Sequence, residues 1–228
     1  MTTKSSQPGE ARASGASVAD TLATDSRGAP PPLLQQQYEF LGDSDIPCSR
    51  YTSRAFADQE TGRLWSRCWQ WACREEHIPD AGDNYVYNIG PYSVIVVRSA
   101  QDRILAFVNS CTHRGTRLLG AEGVGYSPRI TCPFHGWSWG VDGKLESLPA
   151  RWDFPHVCDD SHDLQAVKCE IWGGFVFINL DPDARPLVEY LDVLPEHFKH
   201  FPLERRRVRL HVQKILPANW LARPCCLS

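Results

Sequence analysis

Cys111-Thr112-His113-Arg114-Gly115 and Cys132-Pro133-Phe134-His135-Gly136-Trp137 are the two stretches on which the reading of this chain turns. Each is a short loop that offers one thiolate and one imidazole, Cys111 with His113 and Cys132 with His135. Two cysteines and two histidines suit a mixed-ligand 2Fe–2S centre, with the thiolates on one iron and the imidazoles on the other. Imidazoles in place of thiolates remove negative charge, so such a centre has a higher potential than an all-cysteine cluster. Gly115, Gly120 and Gly136 lie beside the donors, where they let backbone approach a cluster and offer N–H groups to its sulfides. A structural zinc ion accepts the same four donors. Familiar zinc patterns, however, pair Cys with Cys and His with His, whereas both pairs here are mixed.

On these residues the chain resembles the Rieske iron–sulfur family. It is most similar to the Rieske domain of the ring-hydroxylating oxygenase large (alpha) subunits. The Cys-x-His-Arg-Gly and Cys-Pro-x-His-Gly-Trp forms carry the resemblance. It runs from about Phe56 to Trp220, through Ile89-Gly90, Val94 to Arg98 and Asn109. It implies a 2Fe–2S cluster on Cys111, His113, Cys132 and His135, with Arg114 and Trp137 as surrounding residues. It also implies a ferredoxin or reductase as electron donor and oligomerisation with other oxygenase subunits. The respiratory-chain branch of the family carries a disulfide between its two loops. Thr116 and Phe134 stand at those positions here, and Trp137 replaces a serine whose hydroxyl bonds a sulfide. Fewer hydrogen bonds to sulfur imply a potential near the low end of the Rieske range, on the order of −150 mV.

In this family the pair Asn219-Trp220 is followed by a helix with two histidines, which bind a mononuclear iron together with a later Asp. Such a His₂-carboxylate triad leaves positions open for oxygen and substrate. Here the chain continues instead as Leu221 to Ser228, with adjacent Cys225-Cys226. The resemblance therefore leads to the expectation of a chain that stops before the catalytic domain. Mononuclear Fe(II) is expected in the family, and no site for it is evident in this sequence. Asp192, Glu196, His197 and His200 share a helix-prone stretch, but an exposed helix face is the ordinary outcome of that pattern.

The rest of the chain suits a β-rich globule. Its 228 residues, 42% hydrophobic, allow one sizeable domain with tails. Residues 1–36 are rich in Ser, Ala, Gly and Pro and read as a disordered tail, 37–205 as the cluster domain, and 206–228 as the stub of an absent domain. The fold expected is mainly β, a Rieske-type antiparallel domain with an N-terminal helix over Asp58 to Trp69 and a short helix over Pro186 to Leu194. Strands are expected at Tyr85–Ile89, Ser93–Val97, Ile104–Val108, Ala166–Trp172, Phe175–Asn179 and Val208–Leu216. Asp142-Gly143 signals a hairpin. A net charge of −3 implies no nucleic-acid partner, and no apolar run is long enough to span a bilayer. Nine cysteines at irregular spacing, with no apolar leader, fit a cytoplasmic protein with free thiols. Two other classes stay open. One is a stand-alone Rieske ferredoxin-like electron carrier, which needs neither flanking extension. The other is a zinc-stabilised interaction module without redox activity.

Overall fold

The computed structural model describes residues 16, 18–26, 28, 45–100, 102–120, 122–212 and 219–220. The chain forms two compact units. The larger comprises Ala57–Tyr190 with Leu203–His211, and the smaller comprises Met1–Phe56, Leu191–Pro202 and Val212–Ser228.

The ten strands among the described residues lie in the larger unit: β1 (Gln70–Arg74), β2 (Asp83–Ile89), β3 (Tyr92–Ala100), β4 (Arg103–Val108), β5 (Gly123–Tyr126), β6 (Ile130–Thr131), β7 (Ser138–Trp139), β8 (Leu145–Ser147), β9 (Ala166–Trp172) and β10 (Phe175–Asn179). Seven make one sheet in the order β1-β10-β9-β4-β3-β2-β5, and β6-β7-β8 make a second. Every pairing is antiparallel. The mainly β antiparallel class expected from the sequence is the one observed.

The unbroken apolar run of β3 has a simple cause. Successive side chains point to opposite faces of a sheet, and here both faces are covered. Val94 and Val96 join Ile104, Ala106, Val176 and Ile178 in one core. Ile95 and Val97 join Phe107, Ile130, Trp139 and Leu145 in the other, which also holds Cys111, Cys132 and Trp137. The second core thus cements the small sheet onto the large one and carries both ligand loops.

The hairpin at Asp142-Gly143 is present. The Gly143 N–H bonds the Gly140 carbonyl at 2.9 Å, and Gly143 has φ of 82°. The hairpin of Ala166–Trp172 with Phe175–Asn179 is present too, turned by Gly173 and Gly174 at positive φ.

The helices differ in extent from the sequence reading. The N-terminal helix begins earlier, at Arg54, where the Phe56 N–H bonds the Ser53 hydroxyl at 3.2 Å. That serine is the cap the sequence pattern overlooked. Beyond Glu60 the helix widens into a π-turn over Thr61–Trp65. There the Thr61 hydroxyl bonds the Ala57 carbonyl and the Ser66 hydroxyl bonds that of Gly62. The expected helix over Pro186 to Leu194 is two short turns, Leu187–Leu191 and Leu194–His197, separated where Asp192 takes φ of 50°. The strand expected over Val208 to Leu216 is not formed at 208–212, and 213–216 lies outside the described residues. The Val208 N–H bonds the Glu76 carboxylate at 3.0 Å, so the backbone group a ladder would use is taken by a side chain. Of residues 1–36, Val18–Ala23 forms a short helix, and most of the remainder lies outside the described residues.

In the smaller unit Arg50 lies over the Phe56 ring at 4.7 Å, and the Asn219 amide donates to the Tyr51 carbonyl at 3.3 Å. Among the described residues no helix is long and apolar enough to cross a membrane.

Candidate metal centre

The two ligand loops fold alike. In each, the cysteine N–H bonds a carbonyl five residues on, Cys111 to Thr116 and Cys132 to Trp137, both at 2.8 Å. In each, a glycine four residues after the cysteine bonds back to its carbonyl, Gly115 to Cys111 at 2.8 Å and Gly136 to Cys132 at 3.1 Å. Gly115 and Gly136 have φ of 75° and 74°, the left-handed region that glycine enters at little cost. Gly120 does not have a positive φ, and no protein atom lies within 4 Å of a Cβ built on it. The N–H groups that reach the cysteine sulfurs are not those of glycine. They belong to His113 and Arg114 around Cys111, and to Phe134 and His135 around Cys132.

These loops bring the four predicted donors together as two pairs. Cys111 and Cys132 are buried in one core, and each thiol affects the titration of the other. The His113 and His135 rings lie 4.8 Å apart. His113 is walled in by Trp137, stacked at 4.7 Å and 5°, and by Phe154, edge-on at 5.7 Å. Phe134 covers His135 at 3.9 Å and is itself largely exposed. Of the two surrounding residues named from the sequence, Trp137 is 2% exposed and touches a donor ring. The Arg114 side chain is exposed, and its backbone N–H points to the Cys111 sulfur.

The electrostatics favour the unprotonated form at Cys132 and His113 and oppose ionisation of Cys111. Burial pushes the Cys132 thiol up, but the N–H groups of His135 and Phe134, the Cys111 side chain and the Thr116 hydroxyl outweigh it, and the net direction is downward. Burial raises Cys111, with the Cys132 side chain acting the same way against the N–H groups of His113 and Arg114. Burial lowers His113, helped by the charges of His135, Arg114 and His162, so protonation of its ring is disfavoured. A metal needs thiolate and neutral imidazole.

The donor set fits a metal group on a structural ground as well. His113 Nδ1 is buried with no hydrogen-bond partner. A buried, unpartnered ring nitrogen costs about 1–3 kcal/mol unless something binds it. Among the described residues no three His, Cys, Asp or Glu side chains gather around a single point, and this includes the stretch with His197 and His200.

Two residues of the site had no signal in the sequence. The His162 carbonyl accepts the Thr112 hydroxyl at 2.9 Å and the Trp139 indole N–H at 2.8 Å, and its ring lies 5.6 Å from Trp137. Phe154 meets both His113 and Trp137 edge-on. Both come from the loop between β8 and β9, which no spacing rule links to the donors. Burial pushes the Cys73 and Cys169 thiols up to about 12, so neither is primed as a thiolate.

Residues 68–157 match the family model of the Rieske [2Fe-2S] domain. The chain is 34% identical over 176 residues to the biphenyl 2,3-dioxygenase alpha subunit of Rhodococcus jostii, covering 75% of this chain and 38% of that relative. It is 30% identical over 177 residues to the carnitine monooxygenase oxygenase subunit of Escherichia coli, covering 77% of this chain and 47% of the relative. The chain carries a Rieske domain of the ring-hydroxylating oxygenase alpha-subunit family. A crystal structure of a quaternary ammonium Rieske monooxygenase with an inhibitor shares this Rieske fold at a TM-score of 0.70 and 25% identity, over 77% of this chain and 49% of that one. Naphthalene 1,2-dioxygenase from Rhodococcus sp. matches at 0.61 and 30% identity, over 65% of this chain and 34% of that one. The chain thus spans less than half the length of these relatives.

Proposed function

We propose that Cys111, His113, Cys132 and His135 hold a Rieske 2Fe–2S cluster, and that the chain serves as the electron-transfer domain of a ring-hydroxylating oxygenase terminal component. The observation that carries the reading is the pairwise meeting of the donors, thiol with thiol and imidazole with imidazole, around the unpartnered His113 Nδ1. Two pairs suit two irons, whereas a lone zinc draws four donors to one point. When bound, the cluster supplies one-electron transfer at a potential raised by its imidazole ligands.

The chain's own residues set the conditions for that transfer. The N–H groups of His113, Arg114, Phe134 and His135 stabilise negative charge on sulfur. Trp137 and Phe154 exclude water from the His113 side. His135 and Phe134 are exposed and give a donor or acceptor protein a place to approach. The donor proposed is a ferredoxin or reductase. The acceptor proposed is the mononuclear iron of an oxygenase active site, reached within an oligomer. One similar structure, a quaternary ammonium monooxygenase, is described by its inter-subunit electron transfer. Exposed free thiols at Cys48 and Cys158 suit a reducing cytoplasm.

Iron and sulfide analysis of the purified chain tests the reading, with about two of each expected per chain. The Cys132→Ser variant should lose the visible absorption, because the cluster ties two separate loops and its binding is local folding energy. Stoichiometric zinc in the native chain, or a fully loaded mixed-ligand cluster in Cys132→Ser, would sink the assignment.

A further inference from the structure

We propose that Thr112 is a positioning residue of this centre: its hydroxyl fastens the first ligand loop, between the donors Cys111 and His113, to the His162 carbonyl, and so holds both donors in place. The inference rests on the reading of the four donors given above.

The segment that carries His162 is anchored on the β7–β8 hairpin at three successive residues. The Leu164 N–H bonds the Gly143 carbonyl at 2.9 Å. The Asp163 carboxylate accepts the Leu145 N–H at 2.9 Å and the Lys144 ammonium at 2.6 Å. The His162 carbonyl accepts the indole N–H of the fully buried Trp139 at 2.8 Å. Leu164 itself lies in the core that holds Cys111 and Cys132. Onto this fixed segment the first ligand loop is fastened: the same His162 carbonyl accepts the Thr112 hydroxyl at 2.9 Å. A carbonyl oxygen has two lone pairs, and here each has a donor. One donor belongs to the small sheet and the other to the ligand loop, 50 residues before His162. The His162 ring adds to the junction, lying 5.6 Å from Trp137, which stacks on His113 at 4.7 Å.

The place of Thr112 in the loop gives this bond its effect. Thr112 is the one residue between the two donors, and its peptide units carry the Cys111 carbonyl and the His113 N–H. The Cys111 carbonyl accepts the Gly115 N–H at 2.8 Å, which closes the turn from within the loop. The hydroxyl secures it from outside, on a segment with anchors of its own. A threonine side chain is stiff at χ1, so a held hydroxyl also holds the backbone that bears it. Removing the hydroxyl still leaves the His162 carbonyl with the Trp139 N–H, so no buried acceptor is stranded. The loss therefore falls on the ligand loop rather than on the core.

The test compares Thr112→Val with Thr112→Ser in the reconstituted chain. Val keeps the β-branch and roughly the volume but has no hydroxyl, and Ser keeps the hydroxyl. The readouts are amide hydrogen exchange and the electron paramagnetic resonance spectrum of the reduced state. Thr112→Val should speed exchange across the first ligand loop about fivefold, which is about 1 kcal/mol, the net contribution of one hydrogen bond. Exchange in β3 and β4 should stay native, and the resonance should shift or broaden as the donors on either side of residue 112 lose their fixed setting. Thr112→Ser should exchange within about twofold of the native chain and keep its spectrum. If Thr112→Val takes up no cluster but keeps native exchange in β3 and β4, while Thr112→Ser loads normally, the hydroxyl is required at the loop and the inference stands. Native loop exchange or an unshifted resonance in Thr112→Val overturns it, as does a Ser variant that behaves like Val. Loss of protection throughout β3 and β4 in Thr112→Val, or its failure to fold, also overturns it, because the bond would then serve the fold at large. A native chain that binds no 2Fe–2S cluster is a separate result, visible in its absorption before any variant is made. That result would refute the donor assignment itself.

Discussion

The sharpest stability prediction concerns Gly143, which turns the hairpin between β7 and β8. An added Cβ there would sit 2.6 Å from Phe107 Cζ and 3.0 Å from Cδ1, and closer still to Cε1. The backbone φ of 82° is one that side chains rarely adopt. Two penalties therefore add in Gly143→Ala. The left-handed conformation costs about 1–2 kcal/mol for an L-residue. Forcing the ring aside in a packed core costs about 1–3 kcal/mol more. The sum, about 2–5 kcal/mol, is a large part of the 5–15 kcal/mol typical of a domain. Phe107 belongs to the core that holds Cys111, Cys132 and Trp137, so the damage reaches the ligand loops. The assay is urea unfolding of the reconstituted chain, followed by far-UV circular dichroism and by visible absorption. Trimming the ring separates the two penalties. In Phe107→Leu the obstructing edge is gone, so adding Gly143→Ala should then cost only the backbone penalty. The two substitutions should couple by about 0.5–3 kcal/mol in a double-mutant cycle. Additivity within about 0.5 kcal/mol would refute the steric argument, and a loss below about 1 kcal/mol in Gly143→Ala would refute both.

Two further predictions rest on buried polar contacts. Arg74 is buried; it bonds Glu76 at 3.2 Å, the Gly173 carbonyl at 3.2 Å, and the Leu203 and Arg206 carbonyls at 3.2 and 2.7 Å, while lying 4.4 Å over the Phe175 ring. Arg74→Met should cost about 1–3 kcal/mol, since it leaves three carbonyls without their donor while Glu76 keeps the Val208 N–H and Arg207. Arg74→Lys should recover little of this, because an ammonium cannot reach all four acceptors as the planar fork does; a fully stable Lys variant in urea melts would count against it. Asp163 is pushed up by burial, but the Lys144 hydrogen bond, the Leu145 N–H and the lysine charge outweigh that and hold its carboxyl below the ordinary range. A depressed folded pKa gives stability above the unfolded value near 3.9 that is lost as pH falls through the folded value. Asp163→Asn should therefore be less stable by about 1 kcal/mol at neutral pH, with the gap closing under acid; a deficit constant from pH 7 to pH 2 in thermal melts would exclude this origin.

The sequence by itself singled out the four candidate donors, the family and most of the longer strands. These are local or near-local matters. A Cys-x-His or Cys-x-x-His loop contains both donors within a few residues, and strand alternation is written residue by residue. Even the continuous run Ser93–Val97 signalled a strand, although only the sheet showed that both its faces are covered. The mistaken extents have local causes too. Ser53 as a cap and the left-handed Asp192 were overlooked, and the segment from Val208 carries a strand-like pattern. Glu76 lies 132 residues before Val208, and its carboxylate takes the N–H that a strand would have used.

Tertiary structure alone decided how the donors are arranged and what surrounds them. The approach of the His113 ring to that of His135 and the stack of Trp137 on His113 both cross from one loop to the other. Phe154 and His162 enter from a third segment, and Phe107 meets Gly143 from a different sheet. Such contacts depend on how the small sheet packs against the large one, and no spacing along the chain encodes that packing. The proposed donors stand out in sequence because a Cys–His loop is a local pattern, while the burial and ring contacts around them arise only when distant segments meet in a shared core.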